Sequence, residues 1–380
     1  MTQDELTRRE LLKILAAGAA TAGGISACKS IQGEKVKPEF KGNPILGMVP
    51  LPQSGPWPTQ DPFLFCVHHN DQYPEGNAAC GPAASLQGRQ IGQDFSGLDG
   101  WNMYHGDTVP GFPRHPHRGF ETVTVVKQGI IDHSDSLGAT ARYGHGDVQW
   151  LTAGNGINHA EMFPLLEADK NNPMDFFQIW LNLPAKHKRV APHFSMFWKD
   201  DIPKVKHTDP NGKSTHVQMI SGGYNSTEAL KPPPNSWAFA PENRVAIWTI
   251  DLEPGAAWTL PATDPGINRN LYLVEGQALS LAEQPFGERL KIAVHPEANL
   301  LIENGAQPNR ILLLQGKPIA EPVVQHGPFV MNTREEIIEA IHDYQRDQFG
   351  GWPWANKDPI HKRDAGRFAH HADDTKDVPT

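Results

Sequence analysis

Six short runs restrict what this chain can fold into: FETVTVV, GDVQWLT, FFQIWLNL, VAIWTIDL, NLYLVEG and RILLLQG. Each is rich in β-branched or aromatic residues, and turn-forming residues bound most of them. Runs of this length, with no helical pattern alternating between them, predict antiparallel strands closed into sandwiches or barrels, not βαβ units. Glycine and proline, 35 and 34 of the 380 residues, supply the turns. The length suits two domains, and the charged stretch 196–242, which contains KPPPNS, is expected to connect them. One helix is expected over 333–349. Thr333 and Glu336 form a capping box, Ile337, Ile341 and Tyr344 share a face, and Gly350 supplies the stop.

Side chains of a different kind interrupt the apolar pattern in the first half. HPHRGFETV sets His115 and His117 two residues apart, with Glu121 at even spacing beyond them, so a regular strand would aim all three at one face. GHGDVQWLTAGNGINHAEMF repeats the device with His159 and Glu161. Gly154 and Gly156 just before them allow a tight turn that folds this pair back beside the first. Imidazole nitrogens and carboxylate oxygens are what Fe, Mn, Ni, Cu or Zn accept. Three histidines with one or two carboxylates therefore predict a single metal centre, and the choice between Glu121 and Glu161 stays open.

This spacing resembles the cupin pattern of a small β-barrel with one metal inside: His115, His117, Glu121 and Gly129 match its first motif, and Gly154, Gly156 and His159 its second. The longer blocks GFPRHPHRGFETVTVV, GDVQWLTAGNGINHAEM, QIWLNLPAKHK and GKPIAEPVVQHGPFVMNTREEIIEAIHDYQRDQFG resemble the pirin family, over about residues 61–66 and 111–350. The resemblance implies an all-β bicupin with a C-terminal helix. Its first barrel (61–195) would bind one metal, usually iron, through His115, His117, His159 and Glu161, and Glu121 would be a neighbour or alternative ligand. Where the second barrel (243–350) should repeat the histidine motif it reads ATDPGIN, so a metal-free barrel is expected, with Trp248, Leu273 and Leu313 in its core and Trp150 and Phe177 as core aromatics of the first. Several bacterial pirins resemble quercetin 2,3-dioxygenases, which implies a small phenolic substrate, oxygen, and Glu161 as a base for the substrate proton. The competing expectation is a non-catalytic metal- or redox-sensing protein of the cell envelope.

The remaining expectations concern the flanks. TRRELLK, the Ala/Gly-rich stretch after it and ISAC ending at Cys28 resemble a twin-arginine export signal with a lipoprotein box over 1–28. That implies a periplasmic protein tethered by 29–60 to a lipid on Cys28, with the outer membrane favoured by Lys29; a monomer is expected. The formal charge of −9 gives no basic footprint for nucleic acid. Cys66 and Cys80 allow a disulfide past the membrane, free thiols, or a second metal with His68 and His69. The segment 67–110 is longer than in the typical pirin pattern, and Trp101, Met103, Tyr104 and His105 are lid candidates within it. Residues 351–380 are polar and aperiodic, the composition of a mobile tail.

Overall fold

The computed structural model describes residues 40–380 apart from Gln277 and Glu288. The expectations for residues 1–28, Cys28 among them, lie outside the described residues. No helix among those described is long and apolar enough to cross a membrane.

Strand β1 (Ile45–Pro50) opens the fold, followed by β2 (Phe63–Tyr73), β3 (Gly111–His117), β4 (Phe120–Gln128), β5 (Ile130–Asp135) and β6 (Thr140–Gly144). Next come β7 (Val148–Thr152), β8 (Ile157–Met162), β9 (Asn172–Asn182) and β10 (His193–Phe197). Strands β2 to β10 build the first barrel from two sheets, ordered β10-β7-β4-β9-β2 and, on the opposite side, β6-β5-β8-β3. The chain continues through β11 (Lys204–Thr208), β12 (Ser214–Ser221), β13 (Ala246–Leu252), β14 (Ala257–Leu260) and β15 (Asn268–Glu275). It then forms β16 (Leu279–Leu281), β17 (Gln284–Phe286), β18 (Leu290–Val294), β19 (Leu300–Asn304) and β20 (Asn309–Gly316). These make the second barrel, with sheets ordered β1-β18-β15-β20-β13-β12-β11 and β14-β19-β16-β17.

The period-2 pattern explains how the barrels join. On β20, Ile311 and Leu313 face the second barrel's interior with Trp248, Trp258 and Leu273, whereas Leu312 and Leu314 point out of it. Those outward residues meet Val123 and Val125 of β4, Trp150 of β7, and Phe177, Ile179 and Leu181 of β9 in one shared core. Both faces of the second barrel's joining sheet are thus apolar, which is why its runs read as continuous hydrophobic stretches, whereas β4 and β9 turn Thr124 and Gln178 away from the shared core.

Three expected boundaries move. Within the supposed tether, β1 pairs antiparallel with β18, and in the supposed connection β11 and β12 extend the same sheet through β13. Residues 351–380, expected as a mobile tail, are built onto the first barrel: Phe368–His370 pairs with β6 across Phe368–Arg142 and His370–Thr140. Polar groups hold this segment. Arg142, buried and doubly bonded to Asp132, donates to the carbonyls of His361, Lys362 and Ala365, and Asp132 accepts from the His361 N–H at 2.8 Å. The helix α1 (Arg334–Asp347) has the expected capping box at Thr333 and Glu336, but ends on Gln348 in the left-handed region at φ 51° instead of on Gly350.

Candidate metal centre

Strand β3 brings His115 and His117 to one face, and β8 runs antiparallel beside it with His159 directly opposite His115. One ring nitrogen from each of the three histidines lies within 4.8 Å of the others. The turn that returns β8 requires its glycines: at Gly156, with φ 126°, a Cβ would meet the Phe349 ring at 2.6 Å. Glu161, two residues past His159, places Oε2 3.9 Å from His159 Nε2. That oxygen accepts from Gln178 Nε2 at 3.0 Å, and Oε1 from Thr124 Oγ1 at 3.2 Å.

Among the described residues, both ring nitrogens of His159 are buried and have no hydrogen-bond partner. Each would cost roughly 1–3 kcal/mol if nothing else engaged it. His115 Nδ1 lies 2.9 Å from the Pro113 carbonyl and must carry its proton there, which leaves Nε2 as a lone pair. Burial pushes the His115 imidazole down to about 4 and holds His117 and His159 well below the usual histidine range, so all three are neutral and ready to ligate. Burial also raises the Glu161 carboxyl. Three imidazoles and one carboxylate are donors suited to a divalent or trivalent transition metal, so the residues fit one.

Glu121 does not join this group. Gly119 turns the chain at φ 87° between β3 and β4 and breaks the alternation that would have aimed Glu121 with the histidines. Its carboxyl accepts instead from Thr152 Oγ1 at 2.7 Å and Ser236 Oγ at 2.6 Å, fully buried, and burial pushes it up to about 7. The expectation that Glu121 shares a face with His115 and His117 is therefore corrected.

A cavity of about 740 Å³ opens onto His115, His117 and Glu161. Alternate residues of β9, Phe176, Gln178 and Trp180, face it, and Phe112 and Phe163 close the sides. Trp57 and Glu275 border it from the direction of the second barrel.

Of the lid candidates, Tyr104 lines the cavity, whereas Trp101 is buried against Tyr73 under the Arg89 guanidinium, 3.3 Å above its ring, and Met103 is buried beside it. His105 is exposed, with Nδ1 2.8 Å from the Gly92 carbonyl. Arg89 donates to Asp94 and to the Leu98 and Trp101 carbonyls, so this segment is a braced wall. Cys66 and Cys80 are free buried thiols, which corrects the disulfide: Cys66 faces the core between the barrels, while Cys80 sits in the loop after β2 with its carbonyl bonded to Leu165. Among the described residues, His68 joins no cysteine in a metal group. Its ligand-type neighbours are Asp175 and Glu275, but Arg310 donates to Asp175 at 2.8 Å and reaches Glu275 at 3.1 Å, so a guanidinium already bridges the two acids.

Sequence reasoning passed over several residues. His133 is fully buried with its ring centre 5.5 Å from that of His159, and Gln178 fixes Glu161; both were legible as inward positions of strands. Arg118 of the HPHRG stretch bonds Asp343 of α1 at 2.8 Å and the Asn155 carbonyl at 2.6 Å, tying the metal strand to the C-terminal helix. Nothing local in the sequence announces that partner, 225 residues away.

Comparison with known proteins agrees with this architecture. The family described as Pirin matches residues 58–181, and the Pirin C-terminal cupin domain matches 247–350. A Pseudomonas aeruginosa protein with a provisional quercetin 2,3-dioxygenase name is 36% identical over 243 residues, 63% of this chain and 80% of that protein. Human pirin is 35% identical over 275 residues, 69% of this chain and 87% of pirin. The crystal structure of a quercetin 2,3-dioxygenase from Acinetobacter baumannii superposes with a TM-score of 0.62 at 26% identity, covering 81% of this chain and 98% of that one.

Proposed function

Because the chain belongs to the pirin family, we propose that its first barrel is a mononuclear metal site where a flavonol of the quercetin type, or a related phenol, is oxidised by molecular oxygen. One observation carries the reading: neutral imidazoles with unpartnered nitrogens face an aromatic-walled cavity of a size that suits a drug-sized planar ligand. The names of relatives from Pseudomonas and Acinetobacter point the same way. His115, His117, His159 and Glu161 would hold the metal, iron being the first expectation and Cu, Ni, Mn and Zn the others. Bound there, it would supply a Lewis acid for a phenol oxygen and an electron partner for oxygen.

The chain's own residues do the rest. Phe112, Phe176 and Trp180 can sandwich a flat ring and exclude water from its faces. Glu161, raised by burial, suits the role of proton acceptor for the phenol, with Oε2 as the receiving atom and Gln178 fixing its position. Oxygen uptake with quercetin by metal-loaded protein tests this. Uptake that His117→Ala abolishes is the expected result. Equal uptake by both proteins would sink the enzyme, and no uptake by either would favour the metal-sensing reading.

The export reading of residues 1–28 stands beside this as a proposal about place: the paired arginines and Cys28 would deliver a lipid-anchored protein to the cell envelope. Labelled fatty acid incorporated by the wild-type chain and absent from Cys28→Ala is the expected result. Equal labelling of the two would remove it.

A further inference from the structure

The cavity also holds a hydrogen-bonded chain that the metal centre does not use. Tyr104 Oη donates to Asp71 Oδ2 at 2.6 Å, and His69 Nδ1 lies 2.8 Å from the same hydroxyl. The other oxygen of Asp71 accepts from the Asn102 backbone N–H and side-chain amide, both at 2.9 Å. Burial raises the Asp71 carboxyl to about 6 against the pull of these hydrogen bonds, so above that pH it is a carboxylate and only accepts. The one phenolic proton of Tyr104 therefore goes to Asp71, and Tyr104 can offer His69 nothing but a lone pair. His69 must then carry its proton on Nδ1, and its Nε2 is a bare acceptor.

Position and rigidity make that acceptor useful. His69 and Tyr104 both line the cavity, and among the described residues no protein group bonds His69 Nε2. The imidazole stacks on Phe176, with ring centres 4.5 Å apart and planes at 15°, and meets the edges of Phe112 and Tyr104. Phe112 in turn touches His115, so His69 stands one aromatic ring away from the metal triad. Tyr104 occupies the left-handed region at φ 56°, rare for a residue with a side chain, and backbone bridges to Asp94 and Gly111 hold it there. Burial and the neighbouring His68 hold the His69 imidazole down at about 3, so it stays neutral.

We propose that His69, its tautomer set by Tyr104 and Asp71, accepts a hydrogen bond through Nε2 from a substrate hydroxyl remote from the metal. The cavity then prefers polyphenols with a free hydroxyl at that position over their O-methyl ethers. This inference rests on the phenolic reading of the cavity. No proton is transferred, because the imidazole orients the ligand and the hydroxyl keeps its hydrogen.

The test is binding to the metal-loaded full chain without oxygen, followed by quenching of tryptophan fluorescence, with quercetin and with ethers methylated singly at each hydroxyl other than the 3-position. Wild type should bind one of these ethers about tenfold more weakly than quercetin, the worth of a single hydrogen bond. His69→Phe, which keeps the stack on Phe176, should abolish that preference at unchanged metal content. Tyr104→Phe should shrink it, because the Nε2–H tautomer becomes available and donates. Equal wild-type affinity for quercetin and every ether overturns the inference and leaves the phenolic reading standing. So does a preference that survives His69→Phe. If His69→Phe does not fold, an undiminished preference in Tyr104→Phe overturns it. Failure of wild type to bind quercetin or any ether removes the phenolic reading and this inference with it.

Discussion

Replacing Glu121 with glutamine separates the two glutamates of the motif by energetics. In the folded protein the Glu121 carboxyl is pushed from its ordinary 4.5 up to about 7 by burial, while Thr152 and Ser236 pull in the opposite direction. Between those two values the folded protein still holds a proton that the unfolded chain has released. Stability therefore falls as pH rises through that window, and the full penalty is present above about pH 7. At 1.36 kcal/mol per pH unit the penalty is about 3 kcal/mol. Glutamine cannot ionise, and either hydroxyl can rotate to accept from its amide. Glu121→Gln should thus unfold at the same temperature as wild type near pH 5 and about 4 °C higher near pH 8, taking about 2.1 cal/mol/K of unfolding entropy per residue. The assay is thermal unfolding of both proteins across that range, with metal content measured on each. A variant that gains nothing at pH 8 would refute the burial argument, and a variant that loses its metal would refute the placement of Glu121 outside the centre.

Two further predictions probe how the site is supported. Ending the chain at residue 351 strips Arg142 of three carbonyl acceptors and Asp132 of a backbone donor. It should cost on the order of 3 kcal/mol, about half the gross worth of four hydrogen bonds to charged groups once water replaces them. A truncated protein that melts with wild type would show that residues 352–380 contribute nothing to the first barrel. Gly156→Ala adds a Cβ at 2.6 Å from the Phe349 ring at a backbone φ of 126°. Strain and overpacking together predict a loss of roughly 2–4 kcal/mol in a urea titration, and a loss under 1 kcal/mol would contradict that close approach.

Much of this was legible in the sequence for reasons that can be named. The strands of the second barrel's joining sheet announced themselves because both of their faces lie in apolar cores, as on β20, whereas β4 shows the alternation of a strand with one apolar face and buried Thr122 and Thr124 on the other. The ligand pairs were legible because residues two apart on a strand share a face. That same rule misplaced Glu121, since Gly119 interrupts the strand between them. Strands β1 and β11 lie at the edges of the seven-stranded sheet; β11 (KVKHT) carries little apolar signal, whereas β1 (ILGMVP) is apolar and was passed over inside a polar, proline-dotted stretch. The C-terminal segment was misread for a deeper reason. Its attachment runs through backbone carbonyls bonded to Arg142, strand pairing with β6, and single side-chain contacts such as Arg367 to Asp147 and Trp354 to the Asp135 carbonyl, none of which leaves a periodic pattern in the composition.

The claim on which the rest depends is a single metal held in the first barrel by β3 and β8. The most direct measurement is elemental analysis of the purified full chain beside His159→Ala, with circular dichroism to show that the variant keeps its strands. One transition-metal ion per wild-type chain and close to none in the folded variant is the result this account predicts. A folded His159→Ala protein that still carries a full equivalent of metal would contradict it.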